Sequence, residues 1–307
     1  MVSGGYDNTI KVWRLSDNIL LRTINPFDVG PYEGSLSIAP NGLWMAAIGQ
    51  DNDGYKLKVF HTSDGSVIAS YELAGRPGHT AFSPDSQTVV VDSANLNGSP
   101  TPVTFYPAAG GTPVPMIWYS GATPNAIGGV GVGYSPDGGS VALWYETVGG
   151  TGDLRVYPSA GPWTQYGYVD YGSYGGSQNV WSMSGFIGES NGTGPNIYAV
   201  SAECNPKCPS AYSESGSGEW TTFSPDGTHF SVGLSSGPPV SVWASLVTLT
   251  AGVWTHTAQI DLEPSPGGST YPPWPTFSPD SGTLAHQVFK LLCLFGPAFS
   301  FQIVEQI

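Results

Sequence analysis

Phe82-Ser83-Pro84-Asp85, Tyr134-Ser135-Pro136-Asp137-Gly138, Phe223-Ser224-Pro225-Asp226-Gly227 and Phe277-Ser278-Pro279-Asp280 are copies of one phrase, and Ile38-Ala39-Pro40-Asn41-Gly42 is a worn fifth. An aromatic residue followed by Ser-Pro-Asp-Gly reads as a β-strand end running into a tight turn. Proline pre-sets φ at the first turn position, aspartate hydrogen-bonds forward to the backbone, and glycine accepts a positive φ. The five prolines are separated by 44, 52, 89 and 54 residues. The 89 is about twice the 44, which places a decayed copy near Trp181–Gly185. Self-similarity at this period marks a repeat architecture.

Working outward, each turn is followed by a short β-rich run: Thr88–Val91, Ser140–Tyr145, His229–Leu234. These runs have the length and alternation of strands. A second turn rich in Gly, Asn and Ser leads to another strand that closes on an aromatic residue. Phe60, Tyr106, Tyr157 and Trp243 lie 20, 22, 21 and 18 residues after their turn prolines, and Asn196–Tyr198 ends the same way. One unit is therefore an up-and-down meander of four strands. Such a sheet has two apolar faces and can shelter neither alone. Packing the sheets face to face about an axis covers both, which predicts an all-β chain: a β-propeller of four-stranded antiparallel blades. No stretch carries a sustained helical period with caps, and no run approaches a membrane span. The 42 Gly and 27 Pro approach a disordered composition, but 40% hydrophobic and 12% aromatic residues in periodic places point to turn-dense β structure.

Complete units begin near Ser35, Gly78, Ile127, Asn179 and Glu219. Residues 2–25 read as later strands of a unit and 274–289 as early ones. Joined, the N- and C-terminal strands would close the ring as a sixth blade. Seven blades is the alternative, if the tail from Gly296 to Val304 adds its own third strand. Residues 1–290 read as a single propeller domain and 291–307 as an apolar C-terminal tail or closing strand. A start in mid-unit fits a segment of a longer protein.

Ser3-Gly4-Gly5-Tyr6-Asp7-Asn8-Thr9-Ile10-Lys11-Val12-Trp13 resembles the most characteristic stretch of the WD-repeat β-propeller family, here in a divergent, bacterial-type form. The resemblance makes Asp7 the turn aspartate and Trp13 the tryptophan that packs between blades. It also casts Pro84, Asp85, Pro136, Asp137, Pro225, Asp226, Pro279 and Asp280 as repeat turn residues, with Trp243 as a second third-strand tryptophan. Gly78-His79 sits five residues before Pro84, nearer than the family's Gly-His pair. What the family implies is a repeat protein that acts as a protein-binding scaffold.

A formal charge of −14 with nine basic residues leaves no basic stripe for nucleic acid or an anionic membrane. Charged residues make up 10% of the chain. With Ser, Thr, Gly, Asn and Tyr in their place, the texture leans towards an exported or cell-surface protein, although no signal peptide follows Met1. Cys204 and Cys208 bracket a short loop and read equally as a disulfide or as free thiols. Zinc would need two more ligands.

The five histidines, His61, His79, His229, His256 and His286, have no metal-ligand spacing and read as strand or loop residues. Asp51-Asn52-Asp53-Gly54 reads as a hairpin turn, since the spacing fails as a calcium loop. No nucleophile elbow, His-Glu-x-x-His or phosphate-binding loop is present, so no catalytic residue, metal or cofactor is expected. Tyr166-Gly167-Tyr168-Val169-Asp170-Tyr171-Gly172-Ser173-Tyr174, with Trp163 just before it, places glycine beside tyrosine as in loops that present rings to a partner. Trp163, Tyr166, Tyr168, Tyr171 and Tyr174 are accordingly the candidate binding residues. The favoured function is a non-catalytic protein or peptide scaffold. A glycan-binding surface using these rings is the alternative, and a propeller hydrolase or lyase has least support.

Overall fold

The structure, a computed structural model, describes residues 2–4, 9–14, 17, 19–73, 76–94, 103–116, 126–147, 152–161, 167–171, 180–181, 186–191, 194–199, 210–214, 217–224, 226–236, 241–262, 274–277, 281, 284–288 and 300–304. Within these ranges every regular element is a β-strand, and consecutive strands lie side by side in each sheet as a meander of antiparallel pairs. Strands β1 (Val2–Gly4), β2 (Ile10–Arg14) and β3 (Ile19–Ile24) form the first sheet. The second comprises β4 (Gly30–Ile38), β5 (Trp44–Asp51), β6 (Gly54–His61) and β7 (Val67–Glu72). The third comprises β8 (Arg76–Phe82), β9 (Thr88–Ala94), β10 (Thr104–Pro107) and β11 (Val114–Pro115). The fourth runs through β12 (Ala126–Tyr134), β13 (Ser140–Thr147), β14 (Gly152–Pro158) and β15 (Gly167–Tyr171). The fifth holds β16 (Val180–Trp181), β17 (Phe186–Asn191), β18 (Gly194–Ala199) and β19 (Ser210–Ser213). The sixth holds β20 (Ser217–Phe223), β21 (His229–Ser236), β22 (Ser241–Thr250) and β23 (Val253–Leu262). Strands β24 (Trp274–Phe277), β25 (Leu284–Val288) and β26 (Ser300–Val304) form the last.

The repeated phrase falls where its chemistry requires, between the first and second strands of a sheet. The decayed copy expected near Trp181–Gly185 falls, beyond Trp181, outside the described residues. The termini differ from the sequence reading. Instead of one shared closing sheet, β1–β3 and β24–β26 each form a three-stranded sheet of their own. The reason lies in the tail. Ser300–Val304 pairs with β25 from Leu284↔Val304 to Val288↔Ser300, taking the edge that N-terminal strands would have needed.

The chain divides into two compact units, one of residues 1–149 and 156–165, the other of residues 150–155 and 166–307. In the first, alternation along each strand sends side chains to two different cores. Val89 and Val91 of β9 pack with Ala46, Ile48, Leu57 and Val59 of the second sheet. Val90 between them points the other way, to Val141, Leu143 and Tyr157 of the fourth. Likewise Met45, Ala47 and Phe60 join Ile10 and Phe27, on the opposite face from Ala46 and Ile48. A sheet with both faces apolar is thus covered on both. In the second unit Ile197, Phe223, Phe230, Val232, Leu234, Val247 and Trp254 make one core between the fifth and sixth sheets. Burying a side chain the size of Phe230 or Leu234 is worth about 1.5–3 kcal/mol, and this repeated burial is what holds the sheets together.

The third-strand aromatics are core residues. Phe60, Tyr106, Tyr157 and Tyr198 are buried, and Trp243 packs half-buried against the sixth sheet's core. Gly49 and Gly188 mark places where backbone meets a ring. A Cβ on Gly49 would overlap Phe27, and one on Gly188 would overlap Phe230.

Candidate functional site

The turns that carry the repeated phrase share one hydrogen-bond circuit. The serine hydroxyl donates to the aspartate Oδ1 at 2.5 Å in Ser83–Asp85, 2.6 Å in Ser135–Asp137 and 2.5 Å in Ser224–Asp226. The same carboxylate oxygen accepts the amide two residues on, from Gln87, Gly139 and Thr228, at 2.9–3.0 Å. Serine Oγ in turn accepts the first amide of the next strand, from Thr88, Ser140 and His229, at 2.9 Å. In the worn copy Asn41 Oδ1 takes over the aspartate's part, accepting the Leu43 amide at 2.8 Å, and Ala39 supplies no hydroxyl.

The fourth turn position adopts a left-handed backbone throughout, with φ of 70° at Gly42, 65° at Ser86, 75° at Gly138, 71° at Gly227 and 62° at Ser281. Glycine accepts this freely; serine does not. The two serines gain something in exchange, because each reaches the preceding turn. Ser86 Oγ accepts the Asn41 amide at 3.1 Å, and Ser281 Oγ accepts the Asp226 amide at 3.0 Å. Gly138 instead sits against the Pro84 ring. In the first unit the three turns at 39–43, 83–87 and 135–139 therefore adjoin as a row, and in the second the turn at Asp226 adjoins that at Ser281.

Asp85 and Asp137 are exposed and present negative charge from the row in the first unit, and Asp226 is exposed on its turn in the second. The Ser83 hydroxyl and then the Gln87 amide hold the Asp85 carboxyl below the usual carboxylate range. Ser135 and Gly139 do the same for Asp137. For Asp226 burial pushes upwards, but the Ser224 and Thr228 bonds outweigh it and the net shift is down. All three stay ionised at neutral pH, with Oδ1 tied into the turn.

The other charged hairpin neutralises itself. Lys58 Nζ lies 2.7 Å from Asp51 Oδ2, donates to the Pro26 carbonyl at 2.9 Å and sits 4.8 Å above the Phe27 ring. Lys56 meets Asp53 at 2.8 Å. Residues 51–54 are the β5–β6 hairpin, with Asp51 paired to Gly54. Among the described residues no three His, Cys, Asp or Glu side chains converge as metal ligands.

Of the residues singled out in the sequence, Tyr168 and Tyr171 fall in β15, the outer strand of the fourth sheet. Trp163, Tyr166 and Tyr174 lie outside the described residues, as do Asp7, Pro225, Pro279, Asp280, Cys204 and Cys208. Trp13 is half-buried on β2, and its Nε1 donates to Ser3 Oγ on β1 at 2.9 Å.

One pairing escaped the sequence reading. Asp92 is 1% exposed, and its Oδ1 accepts the His79 backbone amide. Its Oδ2 lies 3.7 Å from His79 Nδ1, and among the described residues neither of these two atoms has a hydrogen-bond partner. The imidazole is 31% exposed. Burial pulls its pKa down, but the neighbouring Asp92 carboxylate pulls it up further, so the net shift is upwards. The signal was an acid ending the apolar run Thr88-Val89-Val90-Val91-Asp92, where a fully buried strand should carry none.

No family model matches the chain, and no curated protein does. Solved structures do. The β-propeller domain of Cps50 (Swd1) from Myceliophteria thermophila superposes with a TM-score of 0.68 at 13% identity, covering 93% of this chain and 88% of that one. A chain of the mitotic checkpoint complex gives 0.66 at 9% identity, covering 97% and 82%. NirN, a dihydro-heme d1 dehydrogenase, gives 0.63 at 14% identity over 94% of this chain and 57% of that longer one. At such identities the likeness is one of fold alone: antiparallel four-stranded sheets, similar to those of β-propellers.

Proposed function

We propose that this chain is a non-catalytic scaffold, a WD-repeat-like propeller whose blades are the seven sheets and whose row of turns in the first unit docks a basic protein or peptide segment, the Asp226 turn of the second unit offering a like charge of its own. The observation that carries the reading is the row of turns. Asp85 and Asp137 in one unit, and Asp226 in the other, are exposed carboxylates fixed by identical hydrogen-bond circuits. Charges held this rigidly lose little side-chain entropy on meeting a partner, so more of the electrostatic gain survives as affinity. A chain charge of −14 favours encounter with a cationic partner. Two of the solved likenesses support a scaffold by their setting: a Swd1 propeller domain and a chain within the mitotic checkpoint complex.

The test is an array of basic, neutral and acidic peptides read with the wild-type chain and with the Asp85→Asn, Asp137→Asn, Asp226→Asn triple variant. Asn41 Oδ1 already accepts the amide two residues on in this chain, so asparagine keeps that acceptor while removing the charge. Retention of basic peptides should weaken severalfold in the variant and in raised salt. Equal binding by both chains, or none by either, overturns the reading. A glycan array run beside it covers the alternative: saturable sugar binding lost in Tyr168→Ala or Tyr171→Ala would transfer the function to the aromatic segment.

A further inference from the structure

The His79–Asp92 pair plays no part in the row of turns. Pro77 pairs with Ser93 and Thr80 with Val91, so Gly78 and His79 together stand opposite the single residue Asp92. This is a β-bulge, which breaks the ladder and re-aims side chains. Gly78 is needed there, because a Cβ would overlap Asp92 Oδ1. The carboxylate curls over that glycine and takes the amide that the bulge leaves out of the ladder. Its second oxygen is sealed from water and, among the described residues, has the His79 ring 3.7 Å away and no hydrogen-bond partner. The ring is in contact with solvent on one side and with Asp92 on the other.

We propose that His79 and Asp92 form a proton-operated latch on the β8–β9 bulge, closed when the imidazole is protonated and released when it is neutral. A protonated ring gives the sealed carboxylate a countercharge and a second donor. A neutral ring leaves a buried carboxylate with one amide, which is costly. Solvent contact lets the ring follow bulk pH, while the buried partner turns that signal into backbone order. The strands packed on β8 and β9 are β4, β5, β10 and β12. Their ionisable residues are Tyr32, Glu33, Asp51, Tyr106 and Tyr134, with Arg76 on β8 itself. Among the described residues, the charge that acts on His79 is that of Asp92.

Because the folded midpoint of His79 is raised, the latch stabilises the chain fully below the unfolded midpoint and loses its effect as pH rises through the folded one. Histidine ring NMR on the full chain, with urea unfolding from pH 5 to 9, tests it. His79 should titrate above ~6.5. The bulge amides should shift with the same midpoint. The folding constant should fall about tenfold for each unit that separates the two midpoints. In His79→Gln that component of the pH dependence should vanish. In Asp92→Asn the His79 midpoint should drop to or below the ordinary value, since burial then acts without its counterweight. A wild-type His79 midpoint at or below ~6.5, or the same midpoint in Asp92→Asn, overturns the latch. Should Asp92→Asn not fold, the wild-type titration and His79→Gln decide between the same two outcomes.

Discussion

Ser86 holds a left-handed backbone at φ 65° and uses its hydroxyl to accept the amide of Asn41, 45 positions earlier in the chain, at 3.1 Å. One residue thereby combines a local cost with a long-range gain. A left-handed non-glycine residue costs roughly 1–2 kcal/mol, and a hydrogen bond returns about 0.5–1.5 kcal/mol. Ser86→Gly relieves the first and forfeits the second, so its stability should stay within about 0.5 kcal/mol of wild type. Ser86→Ala keeps the strain and loses the bond, and should cost about 1 kcal/mol or more. Urea midpoints for the two variants distinguish them, and a Ser86→Ala midpoint equal to wild type would show that the bond to Asn41 contributes nothing.

The turn carboxylates set the acid limb of stability. Asp85 and Asp137 are held low chiefly by Ser83 and Ser135, and Asp226 is low although partial desolvation pushes it the other way. Their folded midpoints lie below the unfolded ones, so this stabilisation is present above about pH 4 and fades as pH falls through the folded values. Ser135→Ala should move the Asp137 midpoint upwards, towards the ordinary carboxylate value, as read by carboxyl-carbon NMR. An unmoved midpoint would mean the hydroxyl is not its main support.

At the alkaline end the tyrosines divide. Burial, then the Asp85 charge, pushes the Tyr134 phenol well above its ordinary range. Burial, then the bond to Glu214, does the same for Tyr212. Raised folded midpoints keep these groups neutral, and their contribution is complete below about pH 10 and lost as pH climbs further. Absorbance at the phenolate band should show these two rings ionising only as the chain unfolds. Reversible ionisation of Tyr134 in the native chain would contradict its burial.

Close approach makes Gly188 sensitive. Its missing side chain leaves room for Phe230, with Phe223 Cε2 at 3.0 Å from where a Cβ would stand. Gly188→Ala must displace the Phe230 ring from the sixth sheet's core, an overpacking effect of about 1–3 kcal/mol. Gly65→Ala is a useful contrast, since there the close neighbour is the movable end of Ile24, although its φ of 75° carries strain of its own. Thermal unfolding that left Gly188→Ala unchanged would show that the two sheets are less tightly packed at this glycine.

The aspartate's forward bond was legible because Asp85 and Gln87 are two residues apart; the part of Ser83, which donates to Asp85 and accepts from Thr88, emerged only in the structure. The aromatic closers Phe60, Tyr106, Tyr157 and Tyr198 were legible for a similar reason, since strand alternation fixes which residue faces a core. The bond from Ser86 to Asn41 was not. Serine at a glycine position looks like erosion of the motif until the neighbouring turn is beside it. The pairing of His79 with Asp92 was hidden too, because bulging the strand at Gly78-His79 shifts the register and changes what faces Asp92.

From sequence alone came the four-stranded meander, the location of the Ser-Pro-Asp turns and, where glycine stands, the backbone handedness at their fourth position. These follow from turn chemistry and from a side-chain period of two, both of which act over a few bonds. Tertiary structure alone decided that each terminus would build its own sheet, that adjoining turns would be bonded through Ser86 and Ser281, and that a buried acid would find a histidine. Those outcomes depend on which surfaces come into contact after the strands have formed. Contact across tens of residues is governed by packing and register, which local preference does not encode.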